Sequence, residues 1–112
     1  MADLRSLCPV ANALDLLGDR WTLLVVRDLF AGKSRFGDFL ESAEHIPTNI
    51  LTERLRRLQA AGLIEAVPYS AHPPRHEYRL TERGRGLAPV LDAVAEWGLA
   101  QYPGTRRPPR VR

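Results

Sequence analysis

Apolar side chains recur along this chain at helical spacing in four successive runs, give way once to strict alternation, and return to helical spacing near the end. Val10, Ala13, Leu14 and Leu17 share one face of a first helix, which opens at Pro9, where a missing N–H costs nothing, and stops at Gly18. Asp19 is a suitable N-cap for a second helix, in which Trp21, Leu24, Val25 and Leu29 keep the spacing as far as Gly32. Ser34 caps a shorter third helix with Phe36, Phe39 and Leu40 on one side, and the polar residues 41–45 then break the pattern into a turn. The most regular helix covers residues 47–61, with Leu51, Leu55 and Leu58 in one stripe and Gly62 just past its end. At about 100° per residue, Asn49, Thr52, Glu53 and Arg56 lie opposite that stripe and have no core to face.

The period changes after Gly62. Residues 63–69 are apolar and favour strand, Ser70, Pro73 and Pro74 favour a turn, and the following segment alternates. Arg75, Glu77 and Arg79 fall to one side, His76, Tyr78 and Leu80 to the other, which reads as a two-stranded hairpin with its tip near residues 70–74. Thr81 caps a last helical region holding Leu87, Val90, Leu91, Val94 and Trp97. Pro89 cannot sit deep inside an undisturbed helix, so a kink or restart is expected near Gly86.

The expected fold is therefore mainly α with a two-stranded β-wing: two helices joined by a tight turn, the second with an exposed polar face, followed directly by a hairpin. This is the winged helix-turn-helix arrangement, whose second helix fits the major groove of DNA. Thr48, Asn49, Thr52 and Arg56 are the side chains expected to meet base edges, Asn suiting adenine and Arg suiting guanine. On the wing, Arg75 and Arg79 are placed to reach phosphates or a neighbouring minor groove. A polar helix face on its own is usually just solvated; the ordered combination of short helix, turn, helix and proline-tipped wing turns the argument toward DNA. A winged-helix module given over to protein partners, without specific DNA binding, is the alternative, and the intact polar face speaks against it.

Composition refines this picture in three ways. The 112 residues are 45% hydrophobic and 26% charged, an ordinary mix for one folded domain. Stretches free of Asp, Glu, Lys and Arg reach only about nine residues, as in residues 6–14, far short of a membrane span, and Asp3 and Arg5 stand where an export signal would be apolar, so a cytoplasmic location is expected. The net charge of +3 is concentrated in Arg106, Arg107, Arg110 and Arg112; the remainder carries 12 basic against 13 acidic side chains, so bulk charge does not itself argue for nucleic acid. The expected organisation is a flexible leader over residues 1–7, the winged domain over 8–102 and a basic, disordered tail over 103–112.

No chemistry beyond binding is expected. His45, His72 and His76 have no Cys or acidic partner at ligand spacing on a shared face, so neither metal nor cofactor is anticipated. No phosphate-binding glycine loop, Gly-x-Ser-x-Gly or Ser, His and acid set stands out, which leaves no enzyme reading. Trp21, Tyr78 and Trp97 could line a pocket for a small-molecule effector, although aromatics at helical spacing are more often plain core. The single Cys8 excludes an intrachain disulfide. Pro9 puts its thiol at the start of the first helix, where the dipole favours a thiolate, and the competing reading is a compact apolar filler. The last helix presents Leu87, Leu91, Val94 and Trp97, more apolar face than so small a core needs, so a second copy is expected to cover it unless it packs on Trp21 and Leu24 of its own chain.

Several local motifs combine over residues 8–98: Cys8-Pro9 at the start, Gly18-x-x-Trp21, a Leu-x-x-Leu helix ending in Gly62-Leu63, and Pro73-Pro74-Arg75-x-Glu77-Tyr78 before Leu80-Thr81-x-x-Gly84. In this combination the sequence resembles the HxlR family of bacterial transcription regulators. The resemblance implies a homodimeric DNA-binding regulator in which the first and last helices pair subunits. It implies further that Cys8 lies where some members respond to electrophiles or oxidants. The function expected is thus a sequence-specific regulator, a repressor by expectation, bound to double-stranded DNA at an inverted-repeat operator. The Arg-rich extension after Tyr102 departs from the family pattern.

Overall fold

The computed structural model describes residues 4–110; the first three residues of the expected leader, and Val111 and Arg112 of the basic tail, lie outside the described residues. The chain runs α1 (Pro9–Leu17), α2 (Thr22–Phe30), α3 (Phe36–Leu40), α4 (Thr48–Ala60), β1 (Ile64–Ala71), β2 (Pro74–Leu80), α5 (Glu82–Arg85) and α6 (Ala88–Gln101). The winged helix-turn-helix expected from the pattern is the fold observed.

Helix ends follow from backbone hydrogen-bond demands. Gly32 and Gly62 both take positive φ, 97° and 75°, and each closes a Schellman motif: Lys33 N–H donates to Asp28 O at 3.0 Å, and Leu63 N–H to Leu58 O at 3.0 Å. Asp19 caps α2 from further upstream than expected, its carboxylate accepting from the N–H groups of Trp21 and Thr22 at 3.0 and 3.1 Å. At α3 the capping group is not Ser34 but Asp38, which reaches back to accept from the N–H of Arg35 at 3.0 Å. That backbone hydrogen bond holds the Asp38 carboxyl below its ordinary range. The Ser34 carbonyl instead accepts from Tyr78 N–H at 2.7 Å, joining α3 to the wing.

The interruption expected near Gly86 is present. Thr81 Oγ1 accepts from Gly84 N–H at 3.1 Å to start α5, Gly86 ends it, and Pro89 sits in the first turn of α6, where its ring is tolerated.

The core gathers Val25, Val26 and Leu29 of α2, Phe39 of α3, Ile46, the Leu51, Leu55 and Leu58 stripe of α4, and Leu63 and Ile64 entering the wing. None of the residues of α1 is buried. β1 and β2 pair antiparallel from Ile64↔Leu80 to Pro68↔His76, pass an irregularity at Tyr69, and resume at Ser70↔Arg75 and Ala71↔Pro74. The strands thus continue further toward the tip than the turn residues suggested, because the irregularity restores pairing and leaves only His72 and Pro73 between them.

Candidate nucleic-acid interface

Helix α4 is held by its leucine stripe, and this sends Thr48, Asn49, Thr52 and Arg56 to solvent together. Thr52 Oγ1 donates to Thr48 O at 3.0 Å, so its hydroxyl proton is satisfied within the helix while the side chain stays exposed. Glu53, expected on this face, is only half-exposed and is drawn sideways into an ion pair with Arg54.

The turn before α4 is braced from beneath. His45 adopts φ 57°, the left-handed conformation that reverses the chain between α3 and α4. Ser42 Oγ donates to buried Asp28 at 2.6 Å and accepts from Lys33 Nζ at 2.6 Å. Arg27 spans Asp28 and Glu44, with contacts of 2.9 and 2.8 Å. The hydrogen bonds from Arg27 hold the Glu44 carboxyl below its usual range, against the opposing effect of burial. The turn that sets the entry angle of α4 is therefore locked to α2 by a charged network in which Asp28 and Ser42 are both buried.

On its flank α4 carries Arg54 and Arg57. Arg54 Nε donates to Asp19 at 2.8 Å, while Arg57 Nη2 donates to the carbonyls of Asp15 and Leu16 at 2.9 and 3.0 Å. Burial disfavours the charge on Asp19, but hydrogen bonds from Thr22, Arg54 and Trp21 N–H, with the positive charge of Arg54, outweigh it and push the carboxyl far below the ordinary carboxylate range.

The wing contributes Arg75, exposed at the tip, and Arg79, exposed and paired with Glu77 at 2.6 Å. A third cation joins them that the sequence reading did not single out. Arg35, at the start of α3, stacks its guanidinium 3.9 Å from the centre of the Tyr69 ring, and its backbone pairs antiparallel with that of Glu77 in β2. Arg35, Arg75, His76 and Tyr69 line one concave surface between α3 and the wing. Nothing local to residue 35 reveals this, because its aromatic partner lies 34 positions away; a basic residue directly before a short helix, with tyrosine in the later hairpin, was the available signal.

The fold is shared with known proteins. The family model described as HxlR-like helix-turn-helix matches residues 16–105. The chain belongs to that family. An uncharacterized HTH-type transcriptional regulator of Mycobacterium tuberculosis is 46% identical over 100 residues, 89% of this chain and 63% of the relative. The chain therefore spans somewhat under two thirds of that relative's length. The crystal structure of PA1607 superposes with a TM-score of 0.78 at 44% identity, covering 96% of this chain and 74% of that one. The redox regulator HypR in its oxidised form superposes with a TM-score of 0.75 at 38% identity, covering 83% and 96%.

The remaining expected site residues of this HxlR-like chain separate into distinct places. Cys8 is exposed at the N-cap of α1, its carbonyl accepting from Asn12 N–H at 3.1 Å. Leu87 and Leu91 pack against the chain's own core, whereas Val94 and Trp97 are 54% and 63% exposed; Val10 and Leu14 of α1 are exposed as well. The aromatics do not form one pocket: Trp21 and Tyr78 pack against the core, Tyr78 edge-on to Phe39, and Trp97 stays outside against Tyr102. A groove of about 380 Å³ lies instead between α2 and α6, floored by Leu23, Leu24, Phe30 and Leu91. Residues 107–110 wall it, with Arg110 2.6 Å from Asp92 and over the Phe30 ring. Among the described residues no group of His, Cys, Asp and Glu is gathered as for a metal ion, and no helix is long and apolar enough to cross a membrane.

Proposed function

We propose that this chain is a sequence-specific DNA-binding transcriptional regulator that acts as a homodimer on an inverted repeat, with half-sites about one helical turn apart or a multiple of it. The observation that carries the reading is the face of α4, where Thr48, Asn49, Thr52 and Arg56 stand exposed above a fully buried leucine stripe. Membership of the HxlR-like family, and the regulator names of its relatives, support it. The exposed apolar residues of α1 and α6 supply the surface for a second copy. Operator DNA selected from a random pool by the purified protein provides the test. Asn49→Ala and Arg56→Ala should each cost about 1–3 kcal/mol on the selected site and relax preference at one base position. Arg75→Ala should weaken all sequences alike and flatten the salt dependence. Equal losses on selected and random DNA for the α4 variants would remove that helix from the reading role.

Responsiveness to oxidants or electrophiles through Cys8 belongs to the same proposal. It is supported by an accessible thiol at the start of the helix that would pair subunits, and by likeness to a structure described as a redox regulator. Operator binding measured before and after diamide, in the wild type and in Cys8→Ser, decides it: an oxidant effect that persists in the serine variant would discard the thiol.

A further inference from the structure

Helix α1 faces outward on Val10 and Leu14, and it contributes no buried side chain to the domain. Its C-terminal end, however, is engaged by charge. The carbonyl of Leu14 accepts from Gly18 N–H, and the next two, of Asp15 and Leu16, are both taken by one nitrogen of Arg57. A guanidinium on the negative end of the helix dipole makes charge-assisted hydrogen bonds where a backbone donor would otherwise be missing. Arg57 is also 4.0 Å from Asp19, which receives Arg54 one turn earlier on the same helix. Along α4, Arg57 lies between the buried leucines and the exposed reading residues, so the same rigid helix that presents Asn49 and Arg56 grips the end of α1.

We propose that Arg57 is the positioning residue that fixes the angle between α1 and the recognition helix, and so sets the separation of the two recognition helices in the dimer. The inference rests on the regulator reading given above, in which α1 helps to pair the subunits. A joint built from two hydrogen bonds to carbonyls transmits rotation, because moving α1 against α4 breaks both at once and leaves a half-buried guanidinium short of partners. Lysine at this position offers a single charged point without the planar fork, and holds the end of α1 with less angular definition.

The test compares Arg57→Ala and Arg57→Lys with the parent protein, all in a Cys8→Ser background with a spin label at Ala60→Cys, an exposed position at the end of α4. Light scattering should give the same dimer mass for each. The inter-protomer label distance should be narrowly distributed in the parent, broad in the alanine variant and intermediate in the lysine variant. Affinity for a single half-site should stay within about twofold, whereas affinity for the two-site operator should fall about tenfold or more and lose its preference for one spacing. An unchanged distance distribution in Arg57→Ala, or half-site affinity that falls as far as operator affinity, overturns the assignment. If the parent itself gives no inter-protomer distance, the dimer reading falls and the role of Arg57 with it; if distances respond as stated but no DNA is selected, only the DNA reading fails.

Discussion

Asp19 does more than cap a helix. Its carboxylate receives Trp21 N–H, Thr22, and Arg54 of α4, and so stays ionised in the fold to lower pH than in the unfolded chain. The stabilisation is complete above the unfolded value, about pH 4, and is lost progressively as pH falls below it. Asp19→Asn should therefore cost about 1–3 kcal/mol at pH 7, and the gap between the two proteins should narrow steadily in urea titrations carried toward pH 2. A constant gap across that range would mean the lost stability has nothing to do with charge. The sequence announced Asp19 as a cap but not as a partner of Arg54, because a helical pattern records which face a residue shares and not what stands opposite it. Arg35 and Tyr69 went unnoticed for the same reason.

Among the elements, short α5 carries the sharpest packing constraint. A Cβ on Gly84 would stand 2.0 Å from the carbonyl oxygen of Leu63 and 3.1 Å from Leu80 Cδ2, and the nearer of these is backbone that cannot turn aside. Helix propensity alone would make Gly84→Ala favourable by roughly 1 kcal/mol. The close approach reverses the sign, and thermal unfolding should show a loss on the order of 1–3 kcal/mol. Both ends of this contact lie in segments whose type was readable from the sequence: the cap at Thr81, the restart before Pro89 and the alternation of the wing. Their separation in space was not readable, since periodicity describes each element alone. The extent of β1 and β2 exceeded the turn signal because Ser70 and Pro74, good turn formers, can also pair across a two-residue tip.

For the molecule as a whole, the decisive surface is what the helices leave uncovered. The apolar residues of the last helix were legible as a set, but their division was not: Leu87 and Leu91 complete the domain's own core, and Val94 and Trp97 remain outside. In the proposed dimer, Val94→Glu should therefore abolish self-association with little loss of monomer stability, a pairing that light scattering and urea unfolding at low concentration measure together. Leu91→Glu should damage both. The arginine tail, read from composition as unpacked, is exposed over residues 103–110, and residues 107–110 lie along the groove between α2 and α6 with Arg110 on Asp92 and Phe30.

The absence of any buried side chain in α1 carries a consequence for how tightly its amides are guarded. A helix of 9 residues is too short to persist in water by itself, and in one protomer α1 leans on the domain mainly through Leu16 and the grip of Arg57 on its last carbonyls. Its local opening should consequently cost far less than global unfolding, and, in the proposed dimer, should become expensive only when a second protomer covers Val10 and Leu14. Hydrogen exchange in α1 should accelerate on dilution through the dimer dissociation range while α4 stays protected. Protein concentration would then act on this helix as temperature acts on others.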